Sequence, residues 1–238
     1  MNLGNGIEIT WLGHSTHLVR TPEGKRLLID PWVQGNPACP DGCKQLDGVD
    51  ALLITHGHFD HIGDAVEIAT AHTPECVVEI FEVCHWLESK GVKNCSAMNK
   101  GGTQEVAGTR VTMTHAIHSG GIVDGDSIVY GGEAAGFVIE FSNGFRLYHA
   151  GDTAVFKDME LIGKLYKPDL AILPCGDHFT MGPMEAAEAI RMLGVKKVVP
   201  MHVKTFPILT GTPEALREAA SDVAGLEIHV LEPGQTLS

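Results

Sequence analysis

Two spacings of apolar residues alternate along this chain. Runs at 7–12, 17–20, 26–30 and 51–55, rich in Ile, Leu and Val, read as strands, with Thr21-Pro22-Glu23-Gly24 as a tight turn between two of them. A helical spacing follows over 64–71, then a strand over 76–80 and a second helix over 82–89, stopped by Gly91. Residues 104–106 and 110–117 read as strands again. The second half repeats the scheme. Residues 136–141 and 145–149 form a hairpin about Ser142-Asn143-Gly144, a helix covers 159–166, and a buried strand covers 169–173. The helix at 183–193 opens on Pro183 and stops at Gly194, and a strand follows at 197–201. Thr212 caps the last helix, 213–223, and 227–231 closes the chain as a strand. Strands outnumber helices and the helices interleave, so two sheets with helices outside both are the natural layering.

Residues 119–136 break this pattern. They carry six glycines with Asp124, Asp126 and Glu133, and no Lys or Arg. A mobile lid over a site and a passive connector or subunit contact fit this stretch equally well.

Composition narrows the class. A length of 238 residues suits a single α/β domain spanning 1–238 that buries its core without staples. No apolar run approaches a membrane span, and no basic segment followed by an apolar one opens the chain, so a cytoplasmic protein is expected. Asp and Glu number 30 against 17 Lys and Arg, with no basic stripe, which disfavours a nucleic-acid partner. A small-molecule substrate and a homo-oligomer remain compatible with it. The six cysteines, Cys39, Cys43, Cys76, Cys84, Cys95 and Cys175, read as free thiols rather than as a zinc knuckle, since the spacing of Cys39 and Cys43 is not the usual one.

The candidate chemistry concentrates in Thr55-His56-Gly57-His58-Phe59-Asp60-His61, directly after a buried strand. Packing does not explain three imidazoles and a carboxylate in six residues. Residues two apart in an extended chain share a side, so His56 and His58 reach one metal together. The chain then turns toward a helix, which lets Asp60 and His61 face a second.

This motif resembles that of the metallo-β-lactamase superfamily, His-x-His-x-Asp-His, and every ligand type of it is matched. The resemblance extends over nearly the whole chain. Trp11-Leu12-Gly13-His14-Ser15-Thr16, Leu28-Ile29-Asp30-Pro31-Trp32, Phe179-Thr180-Met181-Gly182-Pro183 and Pro200-Met201-His202 resemble the small predicted metal-dependent hydrolases of the ascorbate-phosphate lactonase-like branch. His178 departs from it, standing where an uncharged polar residue such as Asn is usual, and Cys39 to Cys43 replace an ordinary loop.

The resemblance implies a four-layer αββα sandwich. It implies that His56, His58 and His118 hold one metal and that Asp60, His61 and His202 hold another, with Asp152 as the bridge. His115 is the alternative to His118. The nitrogen and oxygen donor set suits two divalent ions, zinc first, with manganese or iron as alternatives.

The expected function is hydrolysis of a small ester, lactone or phosphodiester by a metal-bridging hydroxide. Asp60 and Asp152 could also orient that hydroxide, and His14 and His178 are the candidates for general acid work. His14 also reads as a support for a ligand, as does Asp30. Two other readings stay open: an iron-dependent oxidoreductase similar to the persulfide dioxygenases, and a non-catalytic metal-binding protein.

Overall fold

Leucine-, isoleucine- and valine-rich runs pair into two seven-stranded sheets in the computed structural model, which describes Leu3 and residues 6–238. The first half of the chain supplies β1 (Glu8–Gly13), β2 (Thr16–Arg20), β3 (Arg26–Ile29) and β4 (Ala51–Leu53), with the short helices α1 (Phe59–Ile62) and α2 (Ala65–His72) after them. Then come β5 (Cys76–Ile80), α3 (Phe81–Ser89), β6 (Cys95–Met98), β7 (Thr103–Val106) and β8 (Thr109–His115). A small ribbon of β9 (Ile122–Asp124) and β10 (Ser127–Val129) precedes β11 (Ala135–Glu140) and β12 (Arg146–His149). The chain continues as α4 (Met159–Tyr166), β13 (Leu170–Pro174), α5 (Pro183–Leu193), β14 (Lys197–Met201), α6 (Pro213–Ala219), β15 (Glu227–Ile228) and β16 (Thr236–Leu237).

Each sheet has an antiparallel side and a parallel side. In the first, β1, β2 and β3 are antiparallel, and β3 to β6 run parallel. In the second, β7, β8, β11 and β12 are antiparallel, and β12 to β15 run parallel. The parallel strands β4 and β13 are buried along their whole length, as strands covered on both faces should be. Burying each Leu, Ile or Val side chain contributes about 1.5–3 kcal/mol. One continuous core joins residues of both sheets, so the layers are those of the expected αββα sandwich. The fully buried rings of His17 on β2 and His149 on β12 meet between the sheets, with centroids 5.1 Å apart.

The periodicities place β5, α4, α5 and β14 with the bounds observed. Other features differ. Residues 95–98 form an unexpected strand, α6 ends at Ala219, and 227–231 is a strand only over Glu227–Ile228. The chain then returns as β16 to pair with β1 across the first sheet. The glycine-rich stretch forms the β9–β10 ribbon, and Asp124 there accepts from Trp86 Nε1 at 2.9 Å and from Lys90 Nζ at 2.8 Å. These bonds fasten the ribbon to α3. All six cysteines are free thiols. Among the described residues no helix is long and apolar enough to cross a membrane.

Candidate metal centre

Strand ends place the proposed ligands. His56, His58, Asp60 and His61 follow β4, with Asp60 and His61 on α1, and His118 follows β8. Asp152 follows β12 and His202 follows β14. Backbone geometry at this edge is unusual. His14, Asp30 and His202 all hold positive φ, at 56°, 51° and 58°, and all three are buried. Non-glycine residues in this region cost about 1–2 kcal/mol each, so the surrounding structure must enforce them. Part of that enforcement is visible. The His14 carbonyl accepts from Trp11 Nε1 at 2.9 Å and from the His202 N–H at 3.1 Å, tying the loop after β1 to the loop after β14.

The side chains form two clusters that share one carboxylate. His56 Nε2 lies 3.0 Å from His58 Nδ1, and His118 Nε2 lies 3.2 Å from the same atom. Beside them, Asp152 Oδ2 stands 3.0 Å from His202 Nε2, 3.3 Å from His61 Nε2 and 3.8 Å from His118 Nε2. Asp60 completes the second group with His61, His202 and His14.

Hydrogen bonding behind the clusters sets which nitrogen faces inward. Asp30 accepts the Thr55 N–H at 2.8 Å, the Thr55 hydroxyl at 2.9 Å and His61 Nδ1–H at 2.8 Å. With its single proton given to Asp30, the Thr55 hydroxyl accepts from His56 Nδ1–H at 3.0 Å. The inward Nε2 of His56 therefore carries a lone pair, and that of His61 gains one when a cation displaces its second proton. Ser119 Oγ, 3.2 Å from His58 Nε2, leaves Nδ1 as the inward atom of that ring. Carboxylate–imidazole and hydroxyl–imidazole supports of this kind are how ligating histidines are oriented.

The donors fit metal ions. His58 Nδ1 stands 3.0 and 3.2 Å from the other two imidazole nitrogens of its cluster, close to the roughly 3.3 Å that separates nitrogen ligands around a tetrahedral ion with bonds near 2.0–2.1 Å. His61 Nε2 and His202 Nε2 are buried and stand 3.3 and 3.0 Å from Asp152 Oδ2 without an aligned hydrogen bond to it, an arrangement that a bound cation between them would satisfy. Burial first, then the neighbouring rings, holds His56, His58 and His118 below the ordinary imidazole range, so they are neutral and ready to ligate. Burial also works against charge on His61, but Asp152 and Asp30 outweigh it and push its pKa well above the usual value. Against its own burial, Asp152 is held well below the carboxylate range by His202 and His61. Asp60 falls to about 2 despite burial, mainly through its bond to His14.

The remaining candidates separate. His14 is fully buried behind Asp60. Its Nε2–H donates to Asp60 Oδ2 at 3.0 Å, and its Nδ1 accepts from Thr205 Oγ1 at 2.9 Å. Burial lowers its pKa to about 4, so it is a neutral support for Asp60 and does not face the cavity. His178 lies apart: it is exposed, its ring sits edge-on to Phe179 at 4.5 Å, and it lines no part of the cavity over the clusters. A left-handed backbone at Asp177 and His178, with φ of 66° and 62°, accompanies that placement. His115 is also outside, exposed beside Lys100 Nζ at 3.1 Å, whereas His118 is in the cluster.

Phe179, Thr205 and Phe206 lie in the stretches Phe179-Thr180-Met181 and Thr205-Phe206-Pro207 that carry the resemblance, but sequence reasoning gave none of them, nor Thr55, Phe59 or Ile208, a role at the site. Thr55 sits at the start of the motif and Thr205 three residues past His202, so adjacency was the available signal.

The chain is similar over nearly its whole length to metal-dependent hydrolases. A model of the β-lactamase superfamily domain matches residues 25–203. A UPF0173 metal-dependent hydrolase of Koribacter versatilis is 57% identical over 233 residues, 98% of each chain. One from Rubrobacter xylanophilus is 52% identical over 234 residues, 98% of this chain and 96% of its own. The solved structure of Igni18, a metallo hydrolase of Ignicoccus hospitalis, is 35% identical and superposes with a TM-score of 0.84 over 97% of both chains.

Proposed function

This chain belongs to the metallo-β-lactamase superfamily, and on that premise we propose a dinuclear metal-dependent hydrolase acting on a small ester, lactone or phosphodiester. The observation that carries the reading is that Asp152 Oδ2 stands 3.0 and 3.3 Å from His202 and His61 Nε2 and 3.8 Å from His118 Nε2, between two clusters of histidines. His56, His58 and His118 would hold one ion, Asp60, His61 and His202 the other, and Asp152 both. Zinc is the first choice, because the donors are imidazoles and carboxylates with no thiolate in the cluster. Ions held there would lower the pKa of a water toward neutrality and stabilise negative charge on a substrate oxygen.

The chain's own groups have distinct tasks. Asp60 and Asp152 line the cavity as carboxylates and can accept a hydrogen bond from the attacking water, fixing its direction. His14 positions Asp60, and Asp30 positions His61. His178, exposed beside Phe179 and outside the lining of the cavity, is the weaker of the two general-acid candidates, and water entering the cavity can supply the leaving-group proton instead.

Metal content and turnover test the reading together. Elemental analysis is expected to give two ions per chain, and His56→Ala to lose at least one of them along with activity on p-nitrophenyl esters or bis(p-nitrophenyl) phosphate. Full turnover in a chelated sample with no metal would overturn it. One iron per chain with oxygen uptake would instead favour the oxidoreductase alternative.

A further inference from the structure

A cavity of about 600 Å³ opens over the two clusters. Its floor is His58, Asp60, His118, Asp152 and His202. Its wall is Phe59, Phe179, Phe206 and Ile208, with Ser119 beside His58. Phe59, Phe179 and Ile208 are 56%, 53% and 47% exposed, large apolar groups left in water at the mouth of a polar site. They come from three separate segments: the first turn of α1, the loop before α5, and the loop after β14. Core packing does not require such a convergence, and contiguous exposed apolar surface of this kind marks a binding face. Two of the walls are also braced. Trp32 meets Phe59 edge-on at 5.8 Å and stands 6.1 Å from Phe206.

Charge is as informative as shape. No Lys or Arg lines this cavity. Lys204, near in sequence to His202, faces a different hollow with Trp11 and Val203. Many sites built for phosphoryl groups add Arg or Lys to the metal ions that clamp the phosphoryl oxygens. Here an anionic substituent beyond the floor would meet aromatic carbon, on a chain of net charge −13.

We infer that the substrate is an uncharged carboxylic ester or lactone carrying an apolar group, which lies against Phe59, Phe179, Phe206 and Ile208 while its carbonyl faces the clusters. This rests on the hydrolase reading above and selects among its three bond classes. The reaction balances with water alone. Water oxygen forms a new bond to the carbonyl carbon, and the bond from that carbon to the alcohol oxygen breaks. One proton of the water ends on the alcohol, and the other leaves when the product acid ionises.

The test uses the metal-loaded protein and two sets of probes. The first is a ladder of p-nitrophenyl esters from acetate to hexanoate, with bis(p-nitrophenyl) phosphate for comparison. We expect kcat/KM to rise about three- to fourfold per methylene, and every ester beyond acetate to outrun the phosphodiester. Phe179→Ala and Ile208→Ala, both exposed and outside the core, should lower the hexanoate rate about tenfold more than the acetate rate.

The second set is non-hydrolysable: calorimetric binding of N-hexylacetamide against hexyl phosphate. Tighter binding of the amide, weakened about fivefold in Phe179→Ala, is expected. A flat ladder, faster phosphodiester cleavage, or preferred binding of hexyl phosphate would overturn the inference and leave the hydrolase reading intact. Amide binding with no turnover of either class would keep the pocket assignment and sink the hydrolase reading instead.

Discussion

Asp30 shows how much of this site depends on a residue that touches no substrate. Its two oxygens take three hydrogen bonds, and one of them fixes the His61 ring. Asp30→Asn keeps the shape but removes the charge that favours His61 Nδ1–H. We expect metal affinity to fall about 10- to 100-fold, read by titrating chelated protein with zinc, while the fold survives by circular dichroism. An unchanged affinity would remove Asp30 from the site's support. His118→Ala and His115→Ala make a sharper pair: the first should lose an ion and the second should not.

Much of this was legible residue by residue, because ligand chemistry is local. His56, His58, Asp60 and His61 announce themselves in six positions. His178 could not be placed this way, since a histidine beside a signature stretch says nothing about where its ring points, and the fold leaves it exposed beside Phe179. The aromatic wall was illegible for a related reason. Phe59, Phe179 and Phe206 are apolar residues of ordinary type, and only the fold brings them together over one cavity.

Among the elements, strand ends do the positioning, and their loops pack without spare room. A Cβ on Gly176, in the loop after β13, would lie 1.8 Å from the His202 carbonyl oxygen. Gly176→Ala must therefore displace the loop after β14, which carries His202. The expected result is loss of the ion held by Asp60, His61 and His202, with the His56 cluster retained, measured as about one ion per chain in place of two. Retention of both would show that the loop yields without cost.

Elements with strong periodicity, such as α4, α5, β5 and β14, could be read from sequence within a residue. β6 could not, since Cys95–Met98 is only partly buried and shows no clean alternation. Nor could the β9–β10 ribbon, whose glycines signal freedom while its Asp124 is fastened by Trp86 and Lys90.

For the molecule as a whole, the two sheets meet across His17 and His149, and this has a consequence for acid stability. Burial pushes His17 down to about 4 from 6.5. The unfolded chain takes up the proton first as pH falls, so this stability is complete above pH 6.5 and is lost progressively toward pH 4. A depression of that size corresponds to about 3 kcal/mol, or a fall in Tm on the order of 6–12 °C for a chain of this length. Chelated protein scanned by calorimetry between pH 7 and pH 4 should show the fall, and His17→Asn should flatten it. Equal slopes in the two proteins would place the acid sensitivity elsewhere.

Thr236–Leu237, which pairs with β1 on the outer edge of the first sheet, bears on how the molecule comes into being. Thr236 Oγ1 lies 2.8 Å from Thr10 Oγ1, a contact between residues 226 positions apart. During synthesis β1 emerges long before β16, and its free edge waits for a partner some 226 positions further on. For that interval it offers unpaired backbone groups to any neighbouring strand. The loop after β1 carries His14, so the strand that waits longest for its partner leads into the support for Asp60. Vectorial synthesis therefore finishes the first sheet and the ligand set almost together, in the stretch from His202 to Leu237.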